Sequence, residues 1–150
     1  MEPSGQWLLC RIGASVGVLP LAATVETYRP LPIEPVMGSP PFVLGLAVVR
    51  GTPLPVVDLT RLVTGEPGRP GRFVTVKARD RHVALAVDAV IGVRQLPAEW
   101  LQSLPPLLGA GDGKTVVAVG TLDAALAMVL ETSRLADEEI FSGEVERRAS

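Results

Sequence analysis

The sequence predicts an all-β fold with a few short helices, built as a small barrel or sandwich. Three observations predict it. Fourteen prolines and fifteen glycines are spread along 150 residues, and proline costs about 3 kcal/mol inside a helix. Valine-rich runs of strand length alternate with turn residues. Hydrophobic residues make up 47% of the chain, yet no apolar run approaches the roughly 20 residues of a membrane helix.

Leu8–Ile12 reads as a first strand, turned at Gly13-Ala14-Ser15, with Val16–Leu21 running back. In "AATVETY" Val25 and Tyr28 are expected to face inward and Glu26 outward. The five prolines of "RPLPIEPVMGSPP" make Arg29–Pro41 an extended or turning connection. Phe42–Arg50 is a strand interrupted at Gly45, where a bulge or a close backbone approach is expected. Gly51-Thr52-Pro53 turns the chain, and Leu54–Val57 returns antiparallel. Asp58 stands as the N-cap of a short helix over "LTRLV", with Gly65 as its stop.

Thr64–Arg72 ("TGEPGRPGR") reads as a flexible surface loop, the segment of poorest expected order. Phe73–Ala78 and His82–Val87 form a hairpin, and Asp88–Leu96 continues as strand. Pro97–Leu104 offers one or two helical turns anchored by Trp100, and "GAGDG" (Gly109–Gly113) is a loop. A last hairpin pairs "TVVAVG" with "ALAMVLE" around Leu122-Asp123, and the tail from Thr132 looks helical, with Leu135, Ile140 and Phe141 near one face. "VVDLTRLV" and "VLETSRLA" share an order of apolar pair, acid and Arg-Leu after a hairpin, which points to two pseudo-equivalent halves.

A formal charge of −2, with two lysines among fourteen basic residues and no dense basic patch, argues against nucleic acid as a partner. One cysteine, Cys10, excludes an internal disulfide framework and reads as a small buried hydrophobe. No basic segment followed by an apolar one opens the chain, so no signal peptide is expected, and the expected location is cytoplasmic without direct membrane insertion.

Catalytic patterns fail one after another. His82 is the only histidine and opens a strand after a charged turn, so it reads as a solvated edge residue; a transition metal lacks ligands, and no cofactor is expected. "GASVG" (Gly13–Gly17) spells G-x-S-x-G but lacks the following helix and preceding strands of a nucleophile elbow. "GAGDGKT" misses the phosphate-loop register by one residue. Asp58 and Asp88 each end a valine-rich strand, which would suit an aspartate-dependent hydrolase. Leu59 and Ala89 follow them rather than a glycine-bearing turn, so both read as caps for backbone amides, each worth at most about 1 kcal/mol.

"PPFVLGLAVVRGTPLPVVDLTRLV" (Pro40–Val63) resembles the central signature of the CheW-like family, adaptor proteins of bacterial chemosensory arrays. The likeness continues in "VALAVDAVIGV" (Val83–Val93), in "VGTLDAALAMVLE" (Val119–Glu131) and upstream in "VGVLPLAATVETYRPLPIEPV", covering Leu8 to Leu135 in order. It implies two small five-stranded SH3-like β-barrels sharing a hydrophobic core, in a single domain over 1–142; the terminal tail over 143–150 ("EVERRAS" after Gly143) reads as frayed. It also implies a non-enzymatic adaptor that joins the cytoplasmic tip of a chemoreceptor to the regulatory domain of a histidine autokinase, in a motility or a non-motility pathway. The receptor tip is expected in the groove between the barrels, and barrel ends are expected to pack on the kinase.

Carried over by position, Arg50 matches the family's arginine of receptor and kinase coupling, and Glu26 the acid beside it. Thr24 falls at a receptor-facing position and Gly45 on the adjoining strand, while Gly51, Pro53 and Asp58 are structural. Gly51 can take φ > 0 and Pro53 restricts the return, so the hairpin holds Arg50 in a narrow range of positions. The chain departs from the family pattern at Val48, where a polar residue is common. Ala124 replaces a turn glycine, Glu131 replaces a second capping aspartate, and the Thr64–Arg72 loop is its own.

Overall fold

The apolar runs become strands buried on both faces. In the computed structural model, which describes residues 5–104, 115–138 and 140, ten strands form two five-stranded sheets. The central sheet holds β3 (Thr24–Tyr28), β4 (Val43–Val49), β5 (Thr52–Asp58), β6 (Arg72–Ala78) and β7 (Arg81–Val87), in the order β3-β6-β7-β5-β4. The terminal sheet holds β1 (Gln6–Ile12), β2 (Ser15–Pro20), β8 (Ala89–Gln95), β9 (Val116–Leu122) and β10 (Ala125–Leu130), in the order β8-β1-β2-β10-β9. Short helices α1 (Leu59–Thr64) and α2 (Ala98–Ser103) and 3-10 helices at Leu21–Ala23 and Thr132–Asp137 complete the described elements.

Strand alternation divides the core into three parts. On β1, Trp7 and Leu9 point into the terminal barrel, whereas Leu8, Cys10 and Ile12 join a core shared by both sheets. On β6, Phe73 fills the central barrel while Val74, Val76 and Ala78 meet the same shared core. A strand with two buried faces needs no polar alternation, which is why "WLLC" and "VALAV" are unbroken. Cys10 lies fully inside the shared core, and burial pushes its thiol up to about 12. A thiol so hard to ionise behaves as a hydrophobe.

The two sheets repeat each other residue by residue. Hairpin β1–β2 corresponds to β6–β7, β10 runs parallel to β2 as β5 does to β7, and each parallel strand ends in a short helix. The irregularities repeat too. The register shift of β3 against β6 at Thr24/Glu26 recurs where β8 meets β1, and the shift of β4 against β5 recurs where β9 meets β10. The echo between "VVDLTRLV" and "VLETSRLA" is therefore structural, with one difference. Asp58 caps α1 through the Arg61 amide, whereas Glu131 makes no cap bond and pairs with Arg134, and the helix after it is 3-10.

Several expectations require correction. Val25 does not face inward: it is the extra residue of the β3 bulge and is 44% exposed, while Glu26 is half-buried. An extra residue reverses the faces beyond it. The turn between β4 and β5 is Arg50-Gly51, and Thr52 and Pro53 already pair with Val49 and Val48. In a two-residue hairpin the ladder bonds fall at Val49–Thr52 and Ala47–Leu54, so Pro53 and Pro55 withhold no amide from β4. In α2 the buried residue is Leu101; Trp100 is half-buried and donates its Nε1–H to the Thr121 carbonyl at 3.0 Å. Phe141, the Gly109–Gly113 loop and the 143–150 tail lie outside the described residues.

The Thr64–Arg72 loop is not loose. Asp58 accepts from Gly68 N (3.0 Å) as well as from Arg61 N (3.2 Å), and Asp88 accepts from Arg69 N and Gly13 N, both at 3.0 Å. Gly71 N also donates to the Val87 carbonyl. Two strand-ending carboxylates thus tie a turn-rich segment down. Asp58→Ala then removes a cap and a loop tether from a buried site, and we expect a loss of about 2–3 kcal/mol in urea unfolding, beyond the roughly 1 kcal/mol of a cap alone.

Candidate functional site

The Arg50-Gly51 turn builds the site. Its central residues have φ of 51° and 81°, the pair of positive values that a two-residue hairpin demands. Arginine carries a Cβ into a region that L-residues resist, and the turn fixes its direction. The side chain crosses from the β4–β5 turn to the opposite edge of the sheet and grips Glu26 of β3. Nε donates to Oε1 at 2.9 Å and to Oε2 at 3.2 Å, and Nη2 donates to Oε2 at 2.9 Å. β3 and β4 are the two edges of the central sheet, so this ion pair closes the barrel's seam.

Exposure is unequal across the pair: the Arg50 side chain is 80% exposed and that of Glu26 25%. One edge of the guanidinium is held while the rest faces solvent, a fork fixed in orientation and open to a second acceptor. A depression of ≈ 410 Å³ lies at the pair, lined among others by Val25, Val49, Leu54 and His82. Hydrogen bonds from Arg50, together with its charge, hold the Glu26 carboxyl below the usual glutamate range against the opposing effect of burial. A depressed folded-state value means that the pair's contribution is present above the ordinary glutamate range and fades as pH falls through the lowered one. Carbon-detected titration of Glu26 should show this lowered midpoint, and Arg50→Gln should return it toward the ordinary value.

The other expected site residues separate into support and surface. Thr24 opens β3, half-buried, and its hydroxyl donates to the Pro20 carbonyl at 3.1 Å. Gly45 is buried at φ 144°, where an added Cβ would sit 2.2 Å from the Glu34 carbonyl oxygen. It seats the proline-rich strap, whose Glu34 pairs with Leu46 through two 2.8 Å bonds on the free edge of β4. Gly45 thus supports the site through the strap and offers no surface of its own. Pro20 also lines a cleft of ≈ 630 Å³ with Trp7, Leu21 and Leu130, where the chain passes from the terminal barrel into the central one. Asp58 and Asp88 spend their carboxylates on backbone amides.

The sequence reading missed a second ion pair, Arg94–Asp123 at 2.6 Å, between β8 and the β9–β10 turn. Superposing "VVRGTPL" on "TLDAALA" would have found it, since Asp123 then falls on Arg50.

A double barrel that holds a charged fork out on a rigid turn is a protein-docking scaffold. The comparisons agree: the CheW-like domain family matches residues 6–139, and the chain belongs to it, a family of scaffold and coupling proteins. Protein FrzA of Myxococcus xanthus is 29% identical over 127 residues, covering 83% of this chain and 78% of FrzA. A probable chemotaxis protein CheW of Rhizobium etli is 28% identical over 103 residues, 67% of this chain and 66% of its own. Frizzy aggregation protein FrzB of Myxococcus xanthus is 40% identical over 53 residues, 35% of this chain and 47% of its own. The scaffolding protein TtCheW of Thermoanaerobacter tengcongensis shares the fold, with a TM-score of 0.69 at 20% identity over 85% of this chain and 89% of that one.

Proposed function

We propose that this protein is a non-enzymatic coupler that joins the cytoplasmic tip of a chemoreceptor to the regulatory domain of a histidine autokinase. Arg50 is its main recognition group. The observation that carries this reading is the guanidinium itself, fixed by Glu26 on one edge and 80% exposed. A pair serving stability alone would gain little from an exposed position. The apolar cleft at Trp7, Leu21 and Leu130 suits a helical receptor tip. Thr24 binds the carbonyl of Pro20 in that cleft, and β3 leads from there to Glu26, so the cleft and the charged fork lie along one strand.

In this reading the protein works in the cytoplasm and reaches the membrane only through receptor arrays, without inserting; no described helix is long and apolar enough to cross a bilayer. Likeness to a frizzy aggregation protein favours service in a chemosensory pathway that governs aggregation.

Co-sedimentation with receptor-bearing membranes tests the proposal. Wild type should bring the kinase down with the membranes. Arg50→Glu should leave it in the supernatant while keeping the wild-type circular dichroism spectrum. Normal sedimentation of the kinase with the charge-reversed protein removes Arg50 from the mechanism.

A further inference from the structure

The repeat between the two halves holds for the backbone at Asp58 and Glu131 and breaks at their side chains. Asp58 N donates to the Phe42 carbonyl at 2.8 Å and Glu131 N to the Thr115 carbonyl at 2.9 Å, each just ahead of an edge strand. An arginine stands three residues on in both halves, Arg61 and Arg134. The Asp58 carboxylate turns back to accept from the Arg61 amide at 3.2 Å, and the residue is 3% exposed. The Arg134 amide donates instead to the backbone carbonyl of Glu131 at 3.0 Å, and no side chain caps that helix. The longer side chain is released from capping and is 44% exposed.

Glu131 lines the ≈ 630 Å³ cleft together with Trp7, Pro20, Leu21, Ala22 and Leu130. It is the one charged residue among the described residues of that lining. Arg134 Nε donates to Oε2 at 2.5 Å, and no described group donates to Oε1. An aspartate would serve this helix start better, as Asp58 does ahead of the same Arg-Leu pair. A carboxylate beside an apolar cleft, held through one oxygen and open at the other, is a counter-charge for an incoming cation.

We propose that Glu131 sets the cleft's choice of partner by taking a lysine or arginine that flanks the apolar stripe of a docking helix. This role rests on the reading of the cleft as the seat of a helical receptor tip, and it fixes one charge which that helix must carry. Arg134 holds one carboxylate oxygen, so the incoming cation meets an acceptor already in place. A helix with an acidic residue at that position sets like charges together and is rejected. A helix with a neutral residue there loses the pairing and binds on apolar contact alone.

Equilibrium co-sedimentation with receptor-bearing membranes at low and at high salt, with no kinase present, tests this role. Glu131→Gln should bind about fivefold more weakly than wild type at low salt and should lose part of the salt dependence. Glu131→Asp should also bind more weakly while its melting temperature holds or rises, because the shorter side chain can cap as Asp58 does. Binding and stability then move in opposite directions, which a residue that only supports the helix start would not produce. Ala22→Trp fills the cleft from an exposed position and should abolish binding. Wild-type binding by Ala22→Trp would show that the cleft is not the seat, and the receptor reading of it fails together with this role. Loss of binding by Ala22→Trp, with either Glu131 variant binding as wild type does, overturns the role of Glu131 alone. A binding loss matched by a lower melting temperature in both Glu131 variants overturns it as well.

Discussion

Gly45→Ala is expected to cost about 3 kcal/mol or more in urea unfolding, the sum of a forbidden backbone region and an overpacked contact. The new Cβ would lie 2.2 Å from the Glu34 carbonyl oxygen, 2.7 Å from its carbon and 2.8 Å from Ile33 Cγ2. Two of those three atoms are backbone, so no rotamer change relieves the clash. Either the strap lifts from β4, losing the paired bonds between Glu34 and Leu46, or the β4 bulge straightens and shifts its register toward the turn. Gly51→Ala supplies the control. At φ 81° with nothing within 4 Å of an added Cβ, it bears conformational strain alone, about 1–2 kcal/mol. A Gly45 loss no larger than the Gly51 loss would show that the strap does not bear on this strand.

Gly45 also marks how far the sequence reveals the fold. An isolated glycine in a valine-rich strand points to a bulge or a close approach, and both occur there. Hairpins were legible for the same local reason, and so was the Asp58 cap with its Gly65 stop, since each signal lies within a few residues. The β3 bulge was not legible. One inserted residue exchanges the faces of a strand, and nothing in "TVETY" shows that Val25 is that residue. The Thr64–Arg72 loop reads as loose because its composition is that of turns. The groups that hold it, Asp58 and Asp88, end strands whose approach to the loop depends on the folded sheets.

The candidate site was half legible. Its residues came from resemblance, and proximity of Glu26 to Arg50 followed from that resemblance rather than from their separation of 24 positions. Turn chemistry did point to a constrained arginine, although it put the turn one residue late. The closure of the seam and the unequal exposure of the two partners depend on the curvature of the sheet, which residue order does not display. Arg94–Asp123 escaped because the repeat was noticed only at the helix starts.

The reciprocal exchange of Glu26 and Arg50 carries the largest expected functional effect, because it separates closing a seam from presenting a cation. A seam requires only opposite charges, and the double variant Glu26→Arg/Arg50→Glu keeps both at the same backbone positions. Its stability should stay near that of wild type. Presentation requires the cation on the exposed turn, where wild type has a side chain 80% free of cover, rather than on β3, where its partner is 25% exposed. The exchange sets a carboxylate on the turn and moves the guanidinium beside the β3 bulge. Any partner that supplies an acceptor at the turn then meets a repulsive group.

Kinase activation in a reconstituted mixture of receptor membranes, kinase and this protein, measured for wild type and for the exchanged variant at matched melting temperatures, is the most direct test. Loss of activation by the exchanged variant, with its fold and stability retained, is the predicted result. Wild-type activation by the exchanged variant would contradict the account and leave Arg50 as half of a seam and nothing more.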